Sequence, residues 1–331
     1  MTNAAKDLSG FFPFATATLL DNCVTDFDLY ILADGKLVLF APAPYRWLRS
    51  ELTNLLATGN RDLFYHNRDQ KKVAVWKRIQ SVDVTRGAGL EAFRKKAPVV
   101  RLAQINDAAA ELTRILYEQP LTAVSVAKGE AIANEMIRCI KEDPGSIAAI
   151  GKLARHDDYT YYHSARVAAY ALAIAVSMSV STDEHLRAIA LGCLFHDVGK
   201  SRIALAVLHK PGALTPQEWD LMRKHPLFGL ELLEATLAPV FNATAREIIV
   251  HHHEKHDGGG YPHGISGQEI VMEVRIAAFA DMFDALTTAR PYQVSRNRYE
   301  ALDFIRHKIV PGSDPDVYKA VVDLFSKGRV G

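Results

Sequence analysis

The chain has 331 residues, of which 49% are hydrophobic and 23% charged. That composition excludes a disordered, fibrous or collagen-like protein, and at roughly 100–200 residues per domain it predicts two domains. Lys and Arg total 39 against 38 Asp and Glu, a net charge of +1, so no whole-molecule field favours a DNA or RNA polymer or a membrane surface.

Cys23, Cys139 and Cys193 are odd in number and widely spaced among apolar neighbours. They read as buried thiols in a reducing compartment, neither a disulfide framework nor a metal knuckle. The start of the chain, Met1 to Val24, carries a single lysine and a proline inside its apolar run, which is poor material for a signal peptide. The apolar stretch Ala168 to Val180 is too short to span a bilayer. A soluble, cytoplasmic protein is expected.

Residues 1–98 read as a small mixed α/β domain. Asp28 to Leu32 and Lys36 to Phe40 flank an Asp34-Gly35 pair, a hairpin signal because that pair tolerates positive φ. Arg46 to Thr58 has the leucine spacing of a helix, while Asp62 to His66 and Lys72 to Trp76 have strand character. Thr85 to Leu90, followed by Lys95-Lys96-Ala97-Pro98, marks the boundary. Residues 99–331 read as connecting helices and an all-α domain, with helices over Tyr159–Met178, Thr182–Phe195, Pro226–Ala235, Thr244–His253, Val271–Thr287 and Arg296–Val310. Capping boxes at Ser181…Glu184, Thr215…Glu218 and Ser266…Glu269 mark helix starts.

Of 13 histidines, 11 lie between His156 and His263. His163, the pair His196-Asp197, His225, the run His251-His252-His253-Glu254 and Asp281 all occur beside or within apolar helical stretches, where an unpaired charge is costly. Coordination of metal satisfies them together. Imidazole and carboxylate without thiolate select borderline to hard divalent ions. Six or seven donors exceed one ion that also keeps water, so two ions sharing a bridging carboxylate fit the count, as in phosphoryl-transfer sites. His156, His185, His209, His263 and His307 read as ordinary core or surface histidines.

His196-Asp197-Val-Gly-Lys200, with His252-His-Glu-Lys-His-Asp257-Gly-Gly-Gly-Tyr261-Pro262, resembles the HD-GYP family, the HD-domain phosphohydrolases that degrade cyclic di-GMP. The likeness extends to His163-Ser164, to His225-Pro226…Gly229 and to Asp281-Met-Phe-Asp284 through Arg290-Pro-Tyr292, covering about residues 150 to 310. It implies an HD-type helical bundle in which His163, His196, Asp197 and Asp281 hold one ion and Asp197, His225, His252 and His253 a second, with Asp197 bridging. Two divalent ions are implied, iron first and manganese next. The family spacing leaves His251 facing away. Lys200 would contact the scissile phosphate, Arg290 a substrate phosphate, and Tyr261, Gly260 and Asp284 would border the substrate. Glu254 and Asp257 would hold the imidazoles in orientation, and Gly258-Gly259-Gly260 would let backbone approach a ligand.

Two departures from the family pattern carry expectations. Some members place a third-metal glutamate four residues before the first histidine ligand, where this chain has Tyr159, so two ions are expected. Many carry a basic residue three positions after Arg290, where this chain has Gln293, which removes one phosphate contact. The expected activity is hydrolysis of cyclic di-GMP to the linear dinucleotide pGpG, and on to GMP, by a hydroxide bridging the two ions. The competing readings are a weakly active receptor or scaffold for cyclic di-GMP and a phosphohydrolase of another nucleotide. A homodimer and signalling proteins docking on the Gly-Tyr-Pro loop are further expectations.

Overall fold

The computed structural model describes residues 8–20, 23–33, 35–57, 62–84, 89–147, 159–179, 182–208, 210–236, 240–288, 295–309 and 312–326. It separates into two compact units, Met1–Val82 with Leu121–Lys128, and Asp83–Pro120 with Gly129–Gly331.

The first unit contains β1 (Phe11–Ala15), β2 (Val24–Thr25), β3 (Leu29–Ala33), β4 (Lys36–Ala41), β5 (Tyr45–Arg46), α1 (Arg49–Ala57), β6 (Asp62–His66) and α2 (Gln70–Ser81). An antiparallel sheet has the order β1-β6-β3-β4, and β2 pairs with β5. The expected hairpin is present: Ala33 stands opposite Lys36, with Gly35 at φ +78° in the turn; Asp34 lies outside the described residues. Phe14, Phe27 and Trp76 pack edge-on or tilted with ring centroids 5.4–5.9 Å apart, and the Trp76 indole N–H donates to the Val24 carbonyl at 2.7 Å.

Trp76 corrects one expectation. Lys72 to Trp76 is part of a helix, not a strand: Val73, Trp76 and Ile79 are all buried, and that three-residue period places one stripe on the core where alternation would have split it.

Helix α5 (Ala123–Glu142) begins in the first unit and continues in the second. The second unit also holds α3 (Leu90–Arg94), α4 (Pro98–Glu118), α6 (Tyr159–Ser177), α7 (Asp183–Phe195), α8 (Leu205–Leu208), α9 (Pro216–Met222), α10 (His225–Ala235), α11 (Ala243–His251), α12 (Met272–Thr287), α13 (Arg298–Phe304) and α14 (Pro315–Ser326). Among the described residues no strand follows Val82. The division falls at Val82, ahead of the 98 expected, and the segment between joins the helical unit, where Arg94 of α3 pairs with Glu135 of α5.

Helix α6 is the axis of this unit. Ala165 to Ala175 are buried without a break, the pattern of a helix covered on every side, and α4, α7, α12 and α14 surround it. Among the described residues no helix is long and apolar enough to cross a membrane.

The caps differ in detail from expectation. Thr215 and Glu218 form the full box, with Pro216 at the first position of α9. At α7 the cap is Thr182, whose hydroxyl accepts from the His185 N–H; Ser181 lies outside the described residues. Ser266 and Glu269 cap a three-residue 3-10 turn, Gly267–Glu269, and α12 starts later, at Met272. The helix expected over 296–310 is α-helical only over Arg298–Phe304 and widens into a π turn through Ile305–Ile309.

Candidate metal centre

Three helix ends converge on Asp197. His196 follows the last residue of α7, His225 opens α10, and His252 and His253 follow α11. In each case helix geometry supplies a backbone acceptor three residues earlier. The Nδ1–H of His196 donates to the Cys193 carbonyl at 2.7 Å, that of His225 to Met222 at 2.8 Å, and that of His252 to Ile249 at 3.0 Å. Committing Nδ1–H in this way leaves the Nε2 lone pair of each ring pointing inward.

What those lone pairs meet is other acceptors. His225 Nε2 is 3.2 Å from Asp197 Oδ1 and 3.2 Å from His252 Nε2. On the other carboxylate oxygen, Asp197 Oδ2 lies 3.4 Å from His196 Nε2, 3.9 Å from His163 Nε2 and 2.6 Å from Lys200 Nζ. His196 Nε2 and Asp197 Oδ1 are buried without a hydrogen-bond partner. Buried acceptors facing one another are unfavourable unless a cation lies between them, so the donor set fits divalent metal. One atom from each of Asp197, His225, His252 and His253 falls within 4.8 Å of the rest, and the same holds for His163, His196 and Asp197. Asp281 joins the second group through His163, with Oδ1 3.0 Å from its Nε2, and reaches His253 Nδ1 at 3.6 Å.

The electrostatics prepare the same chemistry. For Asp197 and Asp281 burial opposes ionisation, but the imidazoles around them, with Lys200 at Asp197, hold both carboxyls well below the usual range. Burial lowers His225, His252 and His253. At neutral pH these five groups are therefore in the protonation states that bind metal. His163 behaves differently: burial disfavours its charge, yet Asp281 and Asp284 on its two nitrogens outweigh burial and push it up to about 9.

Two groups have surroundings that the sequence reading did not give them. Asp284 is fully buried and accepts from His163 Nδ1 at 2.7 Å and from Arg166 at 2.5 and 3.1 Å. It is thus a positioning residue for His163, not the substrate contact expected. Arg166, itself 1% exposed, stands in a long apolar run where a charge signals a buried partner.

The loop after α11 brings further corrections. Glu254 Oε1 accepts from the backbone N–H groups of His263 and Gly264 at 2.7 and 3.0 Å, and Asp257 accepts from Gly259 at 2.9 Å. Among the described residues the donors to both are backbone N–H groups of the loop, which the two carboxylates shape. Gly260 approaches backbone: a Cβ there would lie 2.4 Å from Glu254 Cα, so its lack of a side chain serves loop closure. Tyr261 does border the cluster, its ring 4.7 Å from that of His253.

His251 points away as expected, to Glu247 and His263. His185 pairs with Glu273, and His307 pairs with Asp303. Arg290 and Gln293, like His156 and His209, lie outside the described residues, as does the side chain of Tyr159. A cleft of about 290 Å³ opens on the cluster, lined by His163, Asp197, Lys200, His253 and Asp281 with Tyr117 at its wall.

Comparison with known proteins identifies relatives of the chain. The chain is 32% identical over 213 residues to a cyclic di-GMP phosphodiesterase of Pseudomonas aeruginosa, covering 63% of this chain and 50% of that protein. It is 38% identical to the cyclic di-GMP phosphodiesterase response regulator of Xanthomonas campestris, over 54% of this chain and 47% of the relative. A 3'3'-cGAMP-specific phosphodiesterase of Vibrio cholerae is 36% identical over 53% of this chain and 37% of its own length. The chain thus spans about half the length, or less, of these curated relatives. Among solved structures, an HDG"Y"P protein of Bdellovibrio bacteriovorus shares the fold, with a TM-score of 0.59 at 19% identity over 96% of this chain and 99% of that one. The sequence pattern of the HD domain matches residues 150–316, half of the chain, and the protein belongs to the HD domain family, with the HD-GYP signature in its Gly260-Tyr261-Pro262 loop.

Proposed function

We propose that this protein is a metal-dependent phosphodiesterase that hydrolyses cyclic di-GMP to pGpG and on to GMP. The observation that carries the reading is the placement of Asp197, whose Oδ1 faces His225 and His252 while Oδ2 faces His163, His196 and Lys200. A carboxylate shared between two imidazole groups suits two ions, with His163, His196, Asp197 and Asp281 around one and Asp197, His225, His252 and His253 around the other. Iron is favoured and manganese comes next, since ligands of this type suit both. Bound divalent ions supply an acidified water and Lewis-acid stabilisation of the phosphoryl oxygens.

The remaining work belongs to the chain. Lys200 reaches into the cleft and presents a point charge for the oxygens of the scissile phosphate, where negative charge grows during in-line displacement. The oxygen of water bonds to phosphorus as the bond from phosphorus to the ribose 3' oxygen breaks, and the proton that the water gives up balances the one the 3' oxygen takes. Tyr261 lies tilted against the His253 ring at the edge of the cluster; Arg290 is assigned to a second substrate phosphate. The sheet-containing first unit is assigned a regulatory or interaction role, and the location is cytoplasmic. A homodimer, and partner proteins docking on the Gly-Tyr-Pro loop, belong to the same proposal.

The second reading is favoured by the relatives from Vibrio cholerae specific for 3'3'-cGAMP: the substrate is then the mixed dinucleotide. The test is chromatography of cyclic di-GMP and of 3'3'-cGAMP after incubation with protein loaded anaerobically with iron or manganese, beside a His196→Ala/Asp197→Ala control. Appearance of pGpG with the intact pair alone supports the first reading. Turnover of the mixed dinucleotide alone moves the assignment to the second. Binding without product from either overturns the enzyme reading in favour of a receptor.

A further inference from the structure

We propose that His251, Glu254 and His263 form a second cation site, separate from the buried cluster, for one borderline divalent ion of the zinc, cobalt and nickel class. His251 ends α11, and its Nδ1–H donates to the Glu247 carboxylate on the same helix at 2.7 Å. A carboxylate on one ring nitrogen fixes the tautomer and turns the other nitrogen into a ligand. That other nitrogen, Nε2, faces His263 Nδ1 at 2.9 Å.

The third donor is Glu254, 4% exposed. Its Oε1 is occupied by the N–H groups of His263 and Gly264, while Oε2 is buried with no hydrogen-bond partner. One donor atom from each of the three residues falls within 4.8 Å of the others. A proton shared by the two rings satisfies that pair and leaves the buried carboxylate oxygen unmet, which is unfavourable. A cation satisfies all three at once. Two imidazoles and a carboxylate select the borderline class, and because His263 is exposed, water completes the coordination.

Such a site acts as a clasp. It joins the last residue of α11 to the residue after Pro262, so the segment carrying Tyr261 is closed into a ring beside His253. Occupancy fixes Tyr261, whose ring lies 4.7 Å from that of His253. None of this uses the phosphodiesterase reading.

The test compares cobalt bound per chain at equilibrium dialysis for the wild-type chain, His263→Ala and His263→Cys, each first stripped with chelator. The buried cluster is the same in all three and cancels in the difference. His263 is exposed on a loop, so its replacement leaves the fold intact, which circular dichroism verifies. Wild type is expected to hold one cobalt more than His263→Ala. His263→Cys is expected to match wild type and to add a thiolate-to-cobalt charge-transfer band in the near ultraviolet. Equal cobalt in wild type and His263→Ala overturns the site, as does a His263→Cys protein without that band.

Discussion

The Nε2 atoms of His225 and His252 stand 3.2 Å apart, although each ring has already committed its Nδ1–H to a carbonyl, of Met222 and of Ile249. Two lone pairs held face to face destabilise the metal-free fold, and a cation between them removes the conflict. Manganese added to chelator-stripped protein at a hundredfold excess over Kd is therefore expected to stabilise it by about 2.7 kcal/mol. For a unit of this size that is a rise in Tm on the order of 5–10 °C. Differential scanning calorimetry with and without the ion checks this; an unchanged Tm removes the metal assignment.

Asp284 connects His163 to Arg166. Asp284→Asn takes the charge from behind the imidazole and leaves Arg166 buried without its counter-ion. Metal affinity is expected to fall ~10–100-fold, and stability in urea by roughly 3–5 kcal/mol. The KM for cyclic di-GMP of the fully loaded variant should stay near that of wild type. A KM that rises while metal affinity holds would restore the substrate contact expected from sequence.

Gly199 is where the turn bearing Asp197 and Lys200 touches α10. A Cβ at this position would lie 1.9 Å from the His225 carbonyl oxygen and 2.5 Å from the Gly229 nitrogen. Backbone atoms cannot swing aside, so Gly199→Ala must separate Asp197 from His225. Overpacking costs ~1–3 kcal/mol, occasionally more. The variant is expected to lose that stability and also to bind less metal, measured by elemental analysis. Wild-type metal content in a destabilised Gly199→Ala would mean that the gap between the two elements does not control the site.

Asp314 gives the pH dependence a sign. Burial alone would raise its carboxyl, but hydrogen bonds from the Val317 and Asp316 N–H groups and from Arg275 at 2.6 Å outweigh burial and lower it. A carboxyl lower in the folded than in the unfolded chain stabilises fully above its unfolded value, ~3.9. That contribution is lost as the pH falls through the folded value. Asp314→Asn is thus expected to be less stable than wild type at neutral pH, with the difference shrinking below about pH 4. Urea titrations at several pH values read it directly, and a constant difference across that range would contradict the assignment.

Much of the helical unit was legible because its signals are local. Thr215, Pro216 and Glu218 mark a helix start by their own hydrogen-bonding capacity, and the apolar stretches over α6 and α12 leave few alternatives. The residues that converge on Asp197 could be named because histidine and aspartate closing apolar helix faces need partners. What could not be read depended on residues far apart in the chain. Asp284 looks like any acid beside a site until Arg166, on another helix, is brought against it. Lys72 to Trp76 alternates well enough for a strand, and only burial of Trp76 against Phe14 and Phe27 decides for a helix. His263 seemed ordinary because its neighbour in space, His251, is twelve positions away.

Three rings of the buried cluster are each pegged to a backbone carbonyl three residues back, on α7, at the end of α9 and on α11. The donor atoms therefore have little freedom to adjust one by one, and the cluster inherits its dimensions from the way α7, α9, α10 and α11 lie together. A larger or smaller ion is accommodated by sliding whole helices, not by rotating a side chain. The bundle is in this sense a gauge: its packing fixes the ion radius that fits, and any force that tilts one of those helices is felt at the metal.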